Sequence, residues 1–461
     1  MSSSITTINP ATGAPLATYQ SMDRAAVEQA LANAHTAAQA WGKVPLAQRI
    51  EAVRELSAEL RRQRDPLAKL MTAEMGKVLR EAEGEVEKSA VTATYYATQA
   101  ERFLSDEPVD VAGVDAWVSY EAIGVVLAVM PWNFPLWQVM RFALPAVTAG
   151  NGILLKHSPN VTGSALAIER LFESAGLPKG LLTTLVVAEP EVPATIEALI
   201  NDDRIAAVTL TGSNRAGAAV GAAAGRASKK SVLELGGSDA FIVLADADVE
   251  KAAAAAVRAR FHNAGQSCVC AKRFIVEAAI ADRFTQLFVE GVQRLKTGDP
   301  LDAATDMGPL ARSDLRDQLQ RQVDASVAAG AKLLAGGHTV AGEGSFYAPT
   351  VLSGTKPGMA VFDEETFGPV AAIAVAADAQ DAVRLANASP FGLSVSIWTQ
   401  SNARGVELAK GITTGAAFIN AVTASDARLP FGGTKKSGYG RELAAAGVRE
   451  FTNIRTYWAQ R

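Results

Sequence analysis

Between residues 130 and 295, short apolar runs alternate with amphipathic stretches of helical length, and this alternation constrains the fold more than any other feature of the chain. Residues 153–155, 182–187, 205–210, 232–235 and 241–244 read as strands, and 161–175, 191–200, 214–228 and 248–263 as helices. Strand, helix and strand in succession form the βαβ unit, whose repetition builds a parallel sheet. A second alternating region runs from 273 to 440, with strands near 273–277, 370–375, 393–398 and 416–419. Two such units predict two α/β domains facing each other across a cleft, within the two to four domains that 461 residues accommodate. Ahead of them, Ala25, Val27, Ala30, Leu31 and Ala34 recur at helical spacing behind a candidate N-cap, Asp23. Residues 50–60 and 83–104 repeat that pattern, and 117–130 reads as a strand or hairpin.

Composition removes several function classes. With 44 Lys+Arg against 48 Asp+Glu, a net charge of −4 and no basic block, neither nucleic acid nor an anionic membrane is an expected partner. The opening MSSSITTINPATG lacks a signal peptide's basic and apolar regions. The longest apolar stretch, 122–137, is interrupted by Gly124, Pro131 and Asn133 and stops short of a bilayer span. Both cysteines sit in one tripeptide, so they cannot staple the chain, and a reducing, cytoplasmic compartment is expected. His35, His157, His262 and His338 are too scattered for a metal site. The G-x-S-x-G elbow of hydrolases and the P-loop are both missing from the sequence.

Five places carry candidate chemistry. Cys268, on the loop Gly265-Gln266-Ser267, is either an exposed nucleophile or a small buried apolar side chain. Glu234 closes an apolar strand just before Gly236 and Gly237; a carboxylate in an apolar pocket has a raised pKa and serves as a general base, unless it is simply ion-paired. Gly212-Ser213 joins a strand to a helix, where backbone N–H groups bind phosphate or Ser213 merely caps; the spacing is not the usual dinucleotide fingerprint. Asn133, in PWNFP, offers an N–H to an oxyanion or serves as plain turn chemistry. Glu364 and Glu365 form an acidic turn that either accepts ribose hydroxyls or is solvated.

In their order and spacing, PWNFP (131–135), Lys156 closing a strand, TGS-x-x-x-G (211–217), LELGG (233–237), GQ-x-C (265–268), EE-x-FGPV (364–370) and PFGG-x-K-x-SG-x-GRE (430–442) resemble the aldehyde dehydrogenase superfamily over nearly the whole chain. KHSPN (156–160), LELGGSD (233–239) and ASDAR (424–428) most resemble its bacterial succinate-semialdehyde dehydrogenase branch. The resemblance implies a Rossmann-like cofactor domain (1–103 and 123–236), a catalytic α/β domain (237–440) and a small β oligomerisation element (104–122 and 445–461) in a homodimer or homotetramer. It implies Cys268 as nucleophile, Glu234 as general base, and Asn133 with the Cys268 N–H as oxyanion hole. NAD or NADP would lie against Trp132, Lys156, Ser158, Pro159, Gly212, Ser213, Leu235, Glu365 and Phe367. The aldehyde would meet Arg141, His262, Ser425 and Arg428, and Cys270 would act as a redox partner of Cys268.

Two departures matter. His262 stands six residues before the nucleophile, where the branch often has Arg; Pro159 stands three residues after Lys156, where NAD-preferring relatives often have Glu. Without that carboxylate, both NAD and NADP are expected to serve. A CoA-acylating relative tends to lack the base Glu, so Glu234 favours hydrolysis to the acid, and the intact Cys268, Glu234 and Asn133 argue against a non-catalytic homologue.

Overall fold

Strands that are apolar along their whole length bury both faces, and the chain uses them to build two sheets. The computed structural model describes residues 4–461. A six-stranded sheet runs in the order Gly438–Tyr439, Lys230–Glu234, Ile205–Thr211, Val125–Met130, Gly152–His157 and Leu182–Thr184, parallel except at the Gly438–Tyr439 edge. A seven-stranded sheet runs Lys332–Ala335, Thr350–Ser353, Val370–Ala376, Ala271–Glu277, Asp239–Val243, Ser394–Trp398 and Ala416–Ile419, with only the first pair antiparallel. Every residue of Ala271–Glu277 and of Asp239–Val243 is buried, so these central strands show no alternation in the sequence.

Helices cover both sheets. Thr162–Ser174, Val192–Asn201, Asn214–Arg226 and Val249–Phe261 fall on the stretches expected to be helical, with ends displaced by a residue or two. Side chains set several helix starts: Asp23 before the helix Arg24–Trp41, Ser213 and Asp248 each accept a hydrogen bond from the backbone N–H three residues on. The long helix Leu79–Leu104 packs its buried face on the helix Leu46–Arg62 and on Trp137–Thr148.

The 117–130 segment is not a hairpin. Val114–Ala122 pairs antiparallel with Glu107–Val111 and Thr452–Gln460 in a three-stranded sheet, whereas Val125–Met130 enters the six-stranded sheet. The chain passes from the six-stranded to the seven-stranded sheet between Glu234 and Asp239. It then returns at Gly438–Tyr439, which pairs with Glu234 and Leu233, so residues of the 237–440 span also complete the first sheet. The ends of both sheets meet around Glu234 and Cys268.

Candidate active site

The helix Val249–Phe261 stops where Asn263, Ala264 and Gly265 all take positive φ, 53, 52 and 71°. Left-handed backbone costs roughly 1–2 kcal/mol for a non-glycine residue, so tertiary contacts must hold this turn. They do. Asn263 Nδ2 donates to the Asn133 carbonyl at 2.8 Å, the Asn263 N–H donates to Glu81 at 3.0 Å, and Gln266 Oε1 accepts from the Ala311 N–H at 2.9 Å. Gly265 is required: a Cβ there would lie 2.4 Å from the Gly368 carbonyl oxygen. Cys268 follows this turn, partly exposed, and its backbone N–H makes no hydrogen bond among the described residues.

The loop carries Cys268 to the end of the Lys230–Glu234 strand. A Cβ on Gly237 would fall 2.6 Å from the Cys268 carbonyl oxygen, so the two chain segments pack backbone to backbone. Glu234 is 3% exposed, and neither carboxylate oxygen has a hydrogen-bond partner. Burial, reinforced by the nearby Glu442 carboxylate, raises its pKa well above 4.5, while Arg141 and Arg441 pull it down. Crowding by protein likewise pushes the Cys268 thiol up to about 12; the Arg141 and Lys272 cations oppose this, and the Glu365 and Glu234 carboxylates add to it. Asn133 is buried beside the same loop, its Nδ2 donating to the Gln266 carbonyl at 3.1 Å. An amide nitrogen has two N–H bonds, which leaves a second one to give.

On the other side of Glu234, the strand Ile205–Thr211 ends at Gly212 and the helix Asn214–Arg226 begins. The Gly212 N–H donates to the Glu234 carbonyl at 2.9 Å, and Ser213 Oγ accepts from the Ala216 N–H at 3.3 Å, so Ser213 is the N-cap and the helix N-terminus faces the space above the sheet. Leu235 packs under it, where a Cβ on Gly217 would come within 2.4 Å of its side chain. Lys156 is the penultimate residue of the strand Gly152–His157, which lies beyond Val125–Met130 in the same sheet; it is 7% exposed, and its ammonium has neither an ion pair nor a hydrogen bond among the described residues. Burial lowers its pKa to about 8. Ser158 Oγ donates to Asn160 Oδ1 at 2.7 Å, and Pro159 begins the short turn Pro159–Val161. Glu365 accepts from the Gly237 N–H at 3.0 Å, and Phe367 meets Trp132 edge-on with centroids 5.6 Å apart. An unpartnered buried cation, a helix N-terminus and the Glu365 carboxylate against Gly236 and Gly237 fit the phosphates and ribose hydroxyls of a dinucleotide.

Residues 1–457 match the aldehyde dehydrogenase family. The chain belongs to that family. It is 49% identical over 454 residues to the succinate semialdehyde dehydrogenase (NAD(P)+) Sad of Escherichia coli strain K12, covering 98% of this chain and 97% of that protein. It is 46% identical over 454 residues to a probable succinate-semialdehyde dehydrogenase (NADP+) of Synechocystis, covering 98% and 99%. The crystal structure of succinic semialdehyde dehydrogenase from Streptococcus pyogenes in complex with NADP+ superimposes with a TM-score of 0.96 at 37% identity, covering 99% of this chain and all of that one.

Apolar side chains pack around Cys268. Phe134, Trp137, Leu393 and Phe431 cluster with Cys268 and Val269. The substrate-side residues expected from the sequence fall unequally around it. Arg141 is 2% exposed but committed: Nε pairs with the equally buried Glu442, Nη2 donates to Thr211 at 3.3 Å, and the guanidinium lies over the Phe431 ring. Arg428 is not brought to the site. Its side chain is 74% exposed and grips Asp426, two residues away, through bonds of 2.7 and 2.8 Å. His262 is exposed, stacked near Phe134 and 3.8 Å from Glu81. Ser425 is half-buried and accepts a hydrogen bond from Lys88 at 2.7 Å.

Lys88 and three supporting residues escaped the sequence reading. Glu85 accepts from the Leu136 and Trp137 N–H groups at 2.9 and 2.8 Å, capping the helix that follows PWNFP. His157 Nε2 donates to the Pro135 carbonyl at 2.8 Å while Nδ1 accepts from the Ser158 N–H, which ties the PWNFP turn to the Lys156 strand. Buried Arg260 donates to the Thr366, Gly368 and Val370 carbonyls and to Cys270 Sγ, locking the Glu365 turn against the cysteine loop. Cys268 and Cys270 are free, and Cys270 Sγ lies inside the loop, 2.9 Å from the Ser267 carbonyl oxygen.

Proposed function

We propose that this aldehyde dehydrogenase oxidises succinate semialdehyde to succinate with NAD or NADP, through a covalent intermediate on Cys268. The observation that carries the chemistry is the meeting of Cys268, a buried Glu234 with no hydrogen-bond partner, and Asn133 at the junction of the two sheets. The substrate and cofactors rest on the names of relatives 46–49% identical over nearly the whole chain.

The Cys268 thiol gives up its proton to solvent, the resulting thiolate attacks the aldehyde carbon, and the C=O pair moves onto oxygen. Asn133 Nδ2 and the Cys268 N–H donate to that oxyanion. As the oxyanion collapses, the former aldehyde C–H bond breaks, and bound NAD(P)+ supplies the acceptor for its hydride. A thioester to Cys268 remains. Glu234 takes a proton from water, the hydroxide adds to the thioester carbon, and the Cys268 thiolate leaves as the acid is freed. Lys156 would hold the adenosine ribose, Gly212 and Ser213 the pyrophosphate and Glu365 the nicotinamide ribose, with Trp132, Ser158, Pro159, Leu235 and Phe367 lining the groove. Arg141, paired to Glu442, contributes a positive field at the substrate rather than a two-point grip on it.

The assembly is a dimer or tetramer of this chain, joined through the three-stranded sheet. Thr452–Gln460 is an edge strand whose Ile454 and Trp458 are 61 and 60% exposed, an apolar edge that a second copy would cover. Two free cysteines suit a reducing cytoplasm. Among the described residues, no helix is long and apolar enough to cross a membrane.

The test is a panel of aldehydes with and without a distal carboxylate, read by the absorbance of reduced nicotinamide. Succinate semialdehyde should give the highest kcat/KM. Equal or better values for butanal would refute the substrate, and no reduction with any aldehyde would refute the activity.

A further inference from the structure

The second residue of the fully buried strand Ala271–Glu277 is a lysine. Lys272 has no exposed surface, a costly place for an ammonium unless its three N–H bonds find acceptors. They do. Nζ donates to the Ser267 carbonyl and to the Cys268 carbonyl, each at 2.9 Å, and a Glu365 carboxylate oxygen lies 3.5 Å away.

Those two carbonyls belong to the peptides on either side of the Cys268 α-carbon. Among the described residues no peptide bond is cis, and in a trans peptide a carbonyl and the N–H of the next residue point in opposite directions. The Ser267 carbonyl and the Cys268 N–H share one such unit. With the carbonyl turned to Lys272, the N–H is turned away from it, and it makes no hydrogen bond among the described residues. This is the N–H that the mechanism directs at the oxyanion. The other donor to the Ser267 carbonyl is Cys270 Sγ, at 2.9 Å, and a thiol is a weak donor. Glu365 accepts from the Gly237 N–H at 3.0 Å, and a Cβ on Gly237 would fall 2.6 Å from the Cys268 carbonyl oxygen. Lys272 therefore ties the nucleophile loop to the turns at Gly237 and Glu365.

We propose that Lys272 is a positioning residue for the reaction: its ammonium anchors the Ser267 and Cys268 carbonyls so that the Cys268 N–H faces the developing oxyanion. Buried as it is, Lys272 acts through Cys268, and the assignment rests on Cys268 being the nucleophile.

The charge has a second effect. Burial pushes the Cys268 thiol up to about 12, and the Arg141 and Lys272 cations pull it back, against Glu365 and Glu234. Arg141, on the helix Trp137–Thr148, is paired with Glu442, whereas Lys272 holds its charge against the loop itself; Lys88, on the helix Leu79–Leu104, is a third cation near the sulfur. Burial works against the Lys272 charge as well. The Cys270, Glu365 and Asp239 side chains outweigh burial and the Arg260 charge, and hold the Lys272 pKa above the usual lysine value. Lys272 thus stays charged wherever the enzyme is assayed.

The experiment compares wild type with Lys272→Met, which keeps the aliphatic stem without the ammonium, and Lys272→Arg, which keeps charge and donors. One readout is the rate at which iodoacetamide alkylates Cys268 at neutral pH, located by peptide mass spectrometry. Lys272→Met should slow it about tenfold, the effect of raising the thiol by about one pH unit. The other is hydride transfer in a single turnover with enzyme in excess. It should fall by about 10–100-fold, short of the full loss of an oxyanion donor, while KM for the aldehyde stays within about threefold. Lys272→Arg should recover part of both rates. Wild-type rates in Lys272→Met overturn the proposal, and so does a Lys272→Arg protein no faster than Lys272→Met at a wild-type denaturant midpoint. If Lys272→Met does not fold, Lys272→Gln takes its place with the same expected losses; failure of both to fold makes Lys272 a core residue alone and overturns the assignment. Hydride transfer that survives in Cys268→Ala refutes the nucleophile itself, and the role of Lys272 with it.

Discussion

Replacing Glu234 with Gln tests both the mechanism and the electrostatics of the site. The glutamine keeps the shape of a side chain that is 3% exposed but cannot take a proton from water. Attack by Cys268 and hydride loss do not use this carboxylate, so both survive. Hydrolysis slows by about 10²–10⁴, the usual worth of a positioned base. Rapid mixing should therefore give a burst of about one reduced cofactor per active site, followed by slow turnover. The slow phase should also lose the wild-type increase with pH, which arises because a Glu234 with a raised pKa becomes a base only after it ionises. Stability moves the other way. Between 4.5 and the raised folded value, folded protein keeps a proton that the unfolded chain has released, so wild-type stability falls as pH rises through that window. Each unit of elevation costs about 1.4 kcal/mol, a cost the glutamine does not carry. Glu234→Gln should thus unfold at a higher denaturant concentration than wild type at neutral pH, with the difference shrinking toward acid pH. Absence of a burst together with an unchanged steady-state rate would refute the assignment of Glu234 as base. Equal denaturant midpoints at all pH values would refute the claim that burial holds its proton.

The remaining expectations concern other parts of the site. Asn133→Ala should lower kcat by about 10²–10³, the loss usual for one oxyanion donor; a change of only a fewfold would reduce Asn133 to a turn residue. NAD and NADP should both support turnover, and Lys156→Met should raise KM for NADP more than for NAD, because the 2′-phosphate that only NADP carries loses its ammonium partner. Equal effects on the two would place Lys156 away from that phosphate. Peroxide followed by dithiothreitol should restore wild type but not Cys270→Ala, if a Cys268–Cys270 bridge shields the nucleophile from irreversible oxidation. Because Cys270 Sγ faces the Ser267 carbonyl and Arg260, the loop must reorganise first, and equal recovery in both would leave Cys270 as packing.

The parts of the fold visible in the sequence are those set by local pattern. The βαβ alternation and the caps Asp23, Ser213 and Asp248 depend on residues only a few positions apart. Glu234 and Asn133 stand out because each follows an apolar run beside glycine or proline, and Cys268 because it sits on a glycine-containing loop. Local pattern reads 117–130 as one strand or hairpin, and only the family resemblance sets 104–122 with 445–461 apart from 123–236, since the partner Thr452–Gln460 lies over 300 residues further on. Charge pairing was equally hidden. Arg141 and Arg428 look alike in sequence, yet one meets Glu442 in the core and the other Asp426 at the surface. Lys88 sits on an ordinary amphipathic helix, and only tertiary packing sets it against Trp137 and Ser425.

The central claim, that the substrate becomes covalently bound to Cys268, is tested most directly by trapping the thioester. Glu234→Gln, mixed with NADP and succinate semialdehyde and quenched in acid within the burst, should yield intact protein heavier by one succinyl group. Peptide mass spectrometry should place that group on Cys268 and not on Cys270, and Cys268→Ala carrying the same glutamine should remain unmodified. Reduced cofactor formed in full burst amount with no adduct on Cys268, or with the adduct on another residue, would contradict the account.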